Sequence, residues 1–311
     1  MRIVFCGNTF PAAREILRAR LPQDEIAVCS DLSTLGAVDV AIPLMSRIDA
    51  SLMDVGRFRL IQQWGAGTEG VDLRAALERG IAVANVPASG GNADSVAELM
   101  ILLTIALLRN LPAAETNVKS AVLGYPLGKT LSSRTVCLFG LGAIAKALAQ
   151  RLRPFGVRLL GVTRDPSAEK VQDYGLDACF SVADLRVCLS QTDILMICTR
   201  LADATRGVID RSALEALLPG SYLINAARGA IVDYDALYAA LKSGHLAGAG
   251  LDVYWNEPIS PGDPLLALPN VIATPHIGGV TDRSYAEIGD AVAANINRLR
   301  QGETLLNRVL P

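Results

Sequence analysis

The chain has only two histidines, His245 and His276. One of them stands with an arginine and a carboxylate in a pattern suited to moving a proton. Arg228 follows the apolar run 222–225 in Asn-Ala-Ala-Arg-Gly, Glu257 follows the run 250–253 in Tyr-Trp-Asn-Glu-Pro, and His276 follows the run 271–273 in Thr-Pro-His. If these runs are strands of one open parallel sheet, all three side chains fall outside its carboxyl edge, where such sheets bind ligands. An arginine there can hold a carboxylate by a fork of two hydrogen bonds and polarise a neighbouring keto oxygen. A histidine can give that oxygen a proton as the carbonyl carbon is reduced. A glutamate can orient the imidazole and favour its protonated form. Taken singly, each residue has a plainer reading: a surface arginine, a solvated loop carboxylate, a structural histidine. His245, in Lys-Ser-Gly-His-Leu, reads as part of a helix-ending turn.

Reduction needs a hydride source, and Gly140-Leu-Gly142-Ala-Ile-Ala145 is suited to hold one. The stretch follows the strand-like TVCLF and opens a helix with Ile144, Leu148 and Leu152 at four-residue steps. That is the context of a dinucleotide fingerprint. Gly140 permits the tight turn, and Gly142 lets a pyrophosphate approach the helix N-terminus. Ala145 takes the third glycine's place and is small enough for close helix–strand packing. A ligand-free glycine turn is the plainer alternative. The expected coenzyme contacts are Gly140, Gly142, Ala143, Ile144, Thr163 and Arg164, with Thr199 and Ala226 just past neighbouring strand-like runs. An acidic residue is expected roughly twenty residues past the loop, but Thr163 stands there, followed by Arg164. A threonine and an arginine suit a 2′-phosphate, so NADP(H) is favoured and NAD(H) is the alternative. Arg200 adds positive charge nearby. Asp165 is the counter-argument, because a small change in the turn would bring its carboxylate to the ribose.

Short apolar runs that alternate with helical patterns must position these residues. Strands are expected at 3–6, 26–29, 38–42, 60–63 and 81–84, then at 135–139, 157–162, 194–198, 222–225, 250–253 and 271–273. Such alternation means βαβ units and parallel sheets with helices on both faces. A long helix is expected at 92–110, with Ser95 and Glu98 as a capping box and a nearly all-apolar surface that calls for burial between domains. A second helix, over 283–300, has Ile288, Ala291, Val292, Ile296 and Leu299 at helical spacing and should return the chain to the first domain. A boundary falls near residue 95, and 311 residues suggest two domains.

The remaining composition narrows the class. A net charge of -2 offers no electrostatic attraction to nucleic acid or anionic lipid. Hydrophobic residues at 51% supply large cores. No signal peptide is legible, and the apolar run 99–108 is too short to cross a bilayer. The six cysteines form no CxxC pair, and two histidines make a histidine-based zinc site unsuitable, so no metal is expected. Scattered thiols suit a reducing cytoplasm.

The succession GLGAIA, NAARGAIVD, GAGLDVYWNEP and NVIATPHIGG resembles the D-isomer-specific 2-hydroxyacid dehydrogenase family, whose members include phosphoglycerate dehydrogenase and glyoxylate/hydroxypyruvate reductase. Asn85-Val-Pro-Ala and Ser95-Val-Ala-Glu98 also follow its pattern. The resemblance covers essentially the whole chain. It implies an α/β fold in which 96–283 form a Rossmann-type doubly wound coenzyme domain. Residues 1–95 and 284–311 would form a smaller flavodoxin-like substrate domain. It implies Arg228, Glu257 and His276 as the catalytic trio, Asp252 beside the nicotinamide amide, and backbone N–H groups of Gly65, Ala66 and Gly67 on the substrate carboxylate. By itself the Gly65–Gly67 turn reads as an anion nest. The family relation also implies a homodimer and a small 2-keto or 2-hydroxy acid as substrate. The chain departs from the common pattern at Thr199-Arg200-Leu201, where Pro-Leu is frequent. Glu257 argues against formate dehydrogenases, which pair the histidine with glutamine. A phosphite dehydrogenase and a non-enzymatic NAD(P)H-sensing regulator are the alternatives. Selectivity is expected from the loops near Leu44-Met45-Ser46, Trp64 and Trp255.

Overall fold

The computed structural model describes residues 1–29, 31, 36–89 and 91–310. It divides into two compact units, Met1–Asn92 with Thr281–Pro311, and Ala93–Val280. The expected divisions at 95 and 283 lie three residues further along the chain in each case.

The first unit is built on five parallel strands, β1 (Arg2–Cys6), β2 (Glu25–Cys29), β3 (Val40–Ile42), β4 (Leu60–Gln62) and β5 (Ala82–Ala84). Their order is β2-β1-β3-β4-β5. Alternate side chains serve opposite faces. Ile3, Phe5 and Ile42 join Leu17 of α1 (Pro11–Arg20) and, from a C-terminal helix described below, Val292 and Ile296. Val4, Cys6 and Ala41 face Leu52 and Met53 of α2 (Ala50–Gly56) and Ala75 and Ala76 of α3 (Leu73–Glu78). Asp49 and Asp72 cap these short helices through their side chains.

The chain passes to the second unit along α4 (Gly91–Leu108). This helix begins four residues before Ser95, so the capping box does not form. Ser95 is buried within the helix, and Glu98 reaches Arg151 at 3.5 Å instead. Nor is the helix buried all round. Ala93, Ala97, Met100 and Leu103 enter the core, while Leu102 is 58% exposed. The whole helix has the length and hydropathy of a membrane-spanning segment, but its buried face makes it a core helix.

After α5 (Leu111–Lys119), seven parallel strands follow with their helices: β6 (Thr135–Phe139), α6 (Ala143–Leu152), β7 (Arg158–Thr163), α7 (Ala168–Tyr174), β8 (Ala178–Ser181), α8 (Leu185–Leu189), β9 (Ile194–Ile197), α9 (Arg211–Ala216), β10 (Ser221–Asn225), α10 (Tyr234–Lys242), β11 (Leu246–Leu251) and β12 (Val271–Ala273). Their order, β12-β11-β10-β9-β6-β7-β8, reverses direction between β9 and β6 and defines a doubly wound sheet. Cys137, Phe139, Leu195 and Ile197 face α8–α10, and Val136, Leu138, Ile194 and Met196 face α4 and α6.

Three elements differ from expectation. The strand expected at 250–253 is β11, four residues earlier at its start. Its Ala-Gly-Ala-Gly core carries little strand signal. A Cβ on Gly250 would stand 2.9 Å from Leu103 of α4, so close packing excludes the residues that would have marked the strand. β8 was not expected; it is an edge strand paired only with β7 and half-buried throughout. α5 was also not expected; none of its residues is buried.

The return helix, α11 (Asp282–Gln301), belongs to the first unit, as expected. Its buried Asn295 donates to Gln62 Oε1 at 2.9 Å and to the Leu306 carbonyl at 3.0 Å. That amide ties β4 and the C-terminal segment to the helix.

Candidate active site

In the second unit, β6 turns into α6 through Gly140-Leu141-Gly142. Gly140 has φ 98, and a Cβ there would lie 2.7 Å from the Thr199 backbone. Only glycine fits on both counts. Gly142 is the N-cap of α6 and has no side-chain cap. A Cβ on it would meet nothing within 4 Å. The first amides of the helix, at Ala143 and Ile144, therefore open onto space beside the positive end of the helix, which fits a pyrophosphate. Ala145 is completely buried and allows the close helix–sheet approach.

Thr163 ends β7 and is half-buried, and Arg164 and Asp165 are exposed. Lys170 Nζ donates to the Asp165 carbonyl at 2.6 Å. Among the described residues no ion pair joins Arg164 to Asp165. Thr199 packs on Gly140 at the end of β9, and Arg200 is exposed.

The three later strand ends are braced by one another. Asn225, the last residue of β10, accepts from Ala227 N at 3.0 Å and donates to the Arg228 carbonyl at 2.9 Å. The turn beyond Ala226 is thereby shaped by one buried amide side chain. Arg228 Nη1 donates to the Ala227 carbonyl at 2.7 Å. At Gly229 a Cβ would sit 2.2 Å from the Tyr254 carbonyl carbon, so the loop after β11 lies directly on this backbone. From that loop Glu257 meets His276: Nδ1 and Oε2 are 2.6 Å apart. The other Glu257 oxygen accepts from Tyr254 N at 2.9 Å. The carboxylate side chain is 13% exposed and the imidazole 25%. Partial desolvation strengthens the pair relative to one in open water.

Asp252, expected to face the coenzyme, directly follows β11. It is 1% exposed. Its oxygens accept from Thr274 Oγ1 at 2.6 Å, Ile277 N at 2.8 Å and Gly278 N at 2.7 Å. Burial pushes its carboxyl above the usual carboxylate range, against the pull of these donors. Its geometry is that of an anchor for the loop carrying His276, whose φ of 56 needs such support. Tyr254 adds a second tie, its hydroxyl donating to the Thr274 carbonyl at 2.8 Å. Burial also pushes that phenol up to about 12, so it remains a donor. Asn225, Tyr254 and Thr274 were not singled out from sequence. An asparagine two residues before an amide needing an acceptor is the one local signal among them.

The Gly65-Ala66-Gly67 turn lies in the first unit, just past β4. Gly65 has φ 126. Its carbonyl accepts from Val86 N at 2.8 Å, and the Ala66 carbonyl accepts from Asn85 Nδ2 at 2.8 Å. Among the described residues, the N–H groups of Gly65, Ala66 and Gly67 have no acceptor. Trp64 is less suited to selectivity than expected. It is 9% exposed and packs edge-on against Tyr285 with ring centroids 5.8 Å apart. Met45 is exposed, and the Trp255 indole is pinned to the Val232 carbonyl at 2.7 Å.

A family model described as D-isomer specific 2-hydroxyacid dehydrogenase, NAD binding domain, matches residues 101–278. The chain belongs to this family. The dehydrogenase is 33% identical over 273 residues to the D-3-phosphoglycerate dehydrogenase of Archaeoglobus fulgidus, covering 87% of this chain but only 51% of that protein, so it spans about half that relative's length. It is 32% identical over 289 residues to the glyoxylate reductase of Thermococcus litoralis, covering 89% and 85% of the two chains. Among solved structures, it matches an NADPH-dependent glyoxylate/hydroxypyruvate reductase from Sinorhizobium meliloti, in complex with NADP and malonate, with a TM-score of 0.85 and 32% identity over 99% of this chain and 96% of that one. The dehydrogenase is accordingly an oxidoreductase enzyme that exchanges hydride between a nicotinamide coenzyme and a 2-keto or 2-hydroxy acid.

Proposed function

We propose that the enzyme reduces a small 2-keto acid of the glyoxylate or hydroxypyruvate kind, with NADPH preferred over NADH. The observation that carries the reading is the Glu257–His276 pair at 2.6 Å, set beyond the same sheet as the glycine turn. The coenzyme, when bound, supplies the hydride. Gly140, Gly142 and the first amides of α6, at Ala143 and Ile144, hold its pyrophosphate, with Thr199 and Ala226 lining the neighbouring strand ends. Arg228 binds the substrate carboxylate and polarises the keto oxygen. His276 protonates that oxygen, and Glu257 keeps the ring oriented through Nδ1, which assigns the transfer to Nε2. In the first unit, the amides of Gly65, Ala66 and Gly67 offer a nest for a carboxylate. One panel of 2-keto acids assayed with both coenzymes tests this reading. Turnover of none of them would remove it, and greater kcat/KM with NADH would remove the coenzyme preference.

Support for NADPH comes from Thr163 and Arg164, which stand where an acidic side chain would repel a 2′-phosphate, and from the relative crystallised with NADP.

The partner we infer is a second copy of the chain. Beyond α4 the surface carries Val118 at 77%, Leu123 at 92%, Tyr125 at 67% and Leu127 at 91% exposure. A cavity of about 510 Å³ lined by Leu107, Leu108, Pro112, Tyr222 and Ile272 adjoins them. Apolar projections beside a partly apolar cavity, whose rim includes Lys129 and Asn270, suit self-pairing about a two-fold axis. Light scattering should give a dimer mass that Leu127→Glu reduces to a monomer; a monomeric parent would refute it.

A further inference from the structure

The Gly65–Gly67 turn presents amides, but amides serve an anion only if they point at it. A peptide unit is planar and trans, so the C=O of one residue and the N–H of the next point in opposite directions. Fixing a carbonyl therefore aims the amide that follows it. The Gly65 carbonyl is fixed by Val86 N at 2.8 Å, which aims Ala66 N–H. The Ala66 carbonyl is fixed by Asn85 Nδ2 at 2.8 Å, which aims Gly67 N–H.

We propose that Asn85 is a positioning residue for the substrate carboxylate, acting through the Ala66–Gly67 peptide plane. Asn85 is itself held in place. It follows β5, and its own N–H donates to the Asn307 carbonyl at 3.2 Å. The neighbouring Val309 N donates to Val83 O at 2.9 Å. Asn295 secures the same C-terminal segment, accepting from Leu306 N at 2.8 Å and donating to Gln62 Oε1 at 2.9 Å. The C-terminal segment thus braces the asparagine that braces the nest. The plainer role of Asn85, closing the end of β5, predicts lost stability without a selective effect on substrate.

The inference rests on the reading of Gly65–Gly67 as a carboxylate nest, and one set of variants separates the two. Asn85→Ala, the isosteric Asn85→Asp and Gly67→Pro are compared with the parent, using the best 2-keto acid at saturating coenzyme. Asn85→Ala is expected to raise KM about fivefold, the worth of one hydrogen bond. Asn85→Asp should raise it further, since its carboxylate cannot donate to Ala66 and adds negative charge beside an anion site. The kcat and the coenzyme Kd should remain near the parent values. Gly67→Pro removes the aimed N–H itself. It should raise KM, and adding Asn85→Ala to it should raise KM little further, because both act on one donor. A parent-like KM for Asn85→Asp, with KM raised in Gly67→Pro, overturns the positioning role and leaves the nest standing. An unchanged KM in Gly67→Pro overturns the nest and the positioning role together. A parent without keto-acid turnover removes all three readings.

Discussion

The two glycine turns share a spacing, Gly-x-Gly after a strand, and both begin in the left-handed half of backbone space, with φ 126 at Gly65 and φ 98 at Gly140. They differ in what stands behind them. Gly140–Gly142 leads into a helix of ten residues, whose aligned peptide dipoles place partial positive charge at the turn. Gly65–Gly67 has no helix behind it, and its carbonyls are clamped from Asn85 and Val86. The surroundings differ as well. A Cβ on Gly140 would strike Thr199, and a Cβ on Gly65 would meet nothing within 4 Å. One motif thus serves two physical devices, a helix terminus and a pair of pinned peptide planes. The unit with the helix terminus also carries Arg228 and the Glu257–His276 pair.

That contrast predicts an order of losses. His276→Asn should have the largest effect, lowering kcat by roughly 10²–10⁴-fold with coenzyme binding retained in a fluorescence titration. A nest variant with a greater loss of kcat would break the contrast between side-chain and backbone roles. Gly140→Ala should cost about 3 kcal/mol in denaturant unfolding, through strain and collision together, and Gly65→Ala about 1 kcal/mol from strain alone. Equal losses would show that the two turns are equally confined. Arg228→Lys keeps the charge but loses the fork, so kcat/KM should fall roughly 10- to 100-fold; parent-like kinetics would take the carboxylate clamp away from Arg228. Reduction consumes a proton and oxidation releases one, so the reductive rate should fall and the oxidative rate rise with increasing pH. Glu257→Gln removes the carboxylate that meets Nδ1 at 2.6 Å and should lower kcat roughly 10-fold; a parent-like kcat would take the orienting role away from Glu257. Smallest of all, Arg164→Ala should reduce the NADPH-over-NADH ratio about fivefold, the scale of one exposed charge contact. An unchanged ratio would leave Thr163 and Arg200 to explain any preference.

Local chemistry made much of this protein legible before folding. Strands buried on both faces read as continuous apolar runs, so TVCLF was placed at its observed bounds and most other strands within two residues. The glycine turn was legible because its context, strand then helix, is itself a sequence pattern. The Glu257–His276 pair was legible because the two residues follow apolar runs by four and three residues, and a parallel sheet brings the ends of such runs to one edge. Other features existed only once the chain had folded. β11 was misplaced because α4 packs against Gly248 and Gly250, and the glycines this requires carry no strand signal. The capping box at Ser95 and Glu98 dissolved because the helix starts earlier and Glu98 reaches Arg151 instead. Three donors from residues 274, 277 and 278 make Asp252 an anchor of the loop that carries His276, and no local pattern reports partners more than twenty residues away. The link from the C-terminal segment through Asn85 to Ala66 was equally invisible. A sequence records which groups a residue carries and which neighbours share its helix or strand. Which donor meets which acceptor across the chain is settled by packing, because a hydrogen bond needs its atoms within about 3 Å and only the tertiary fold brings them there.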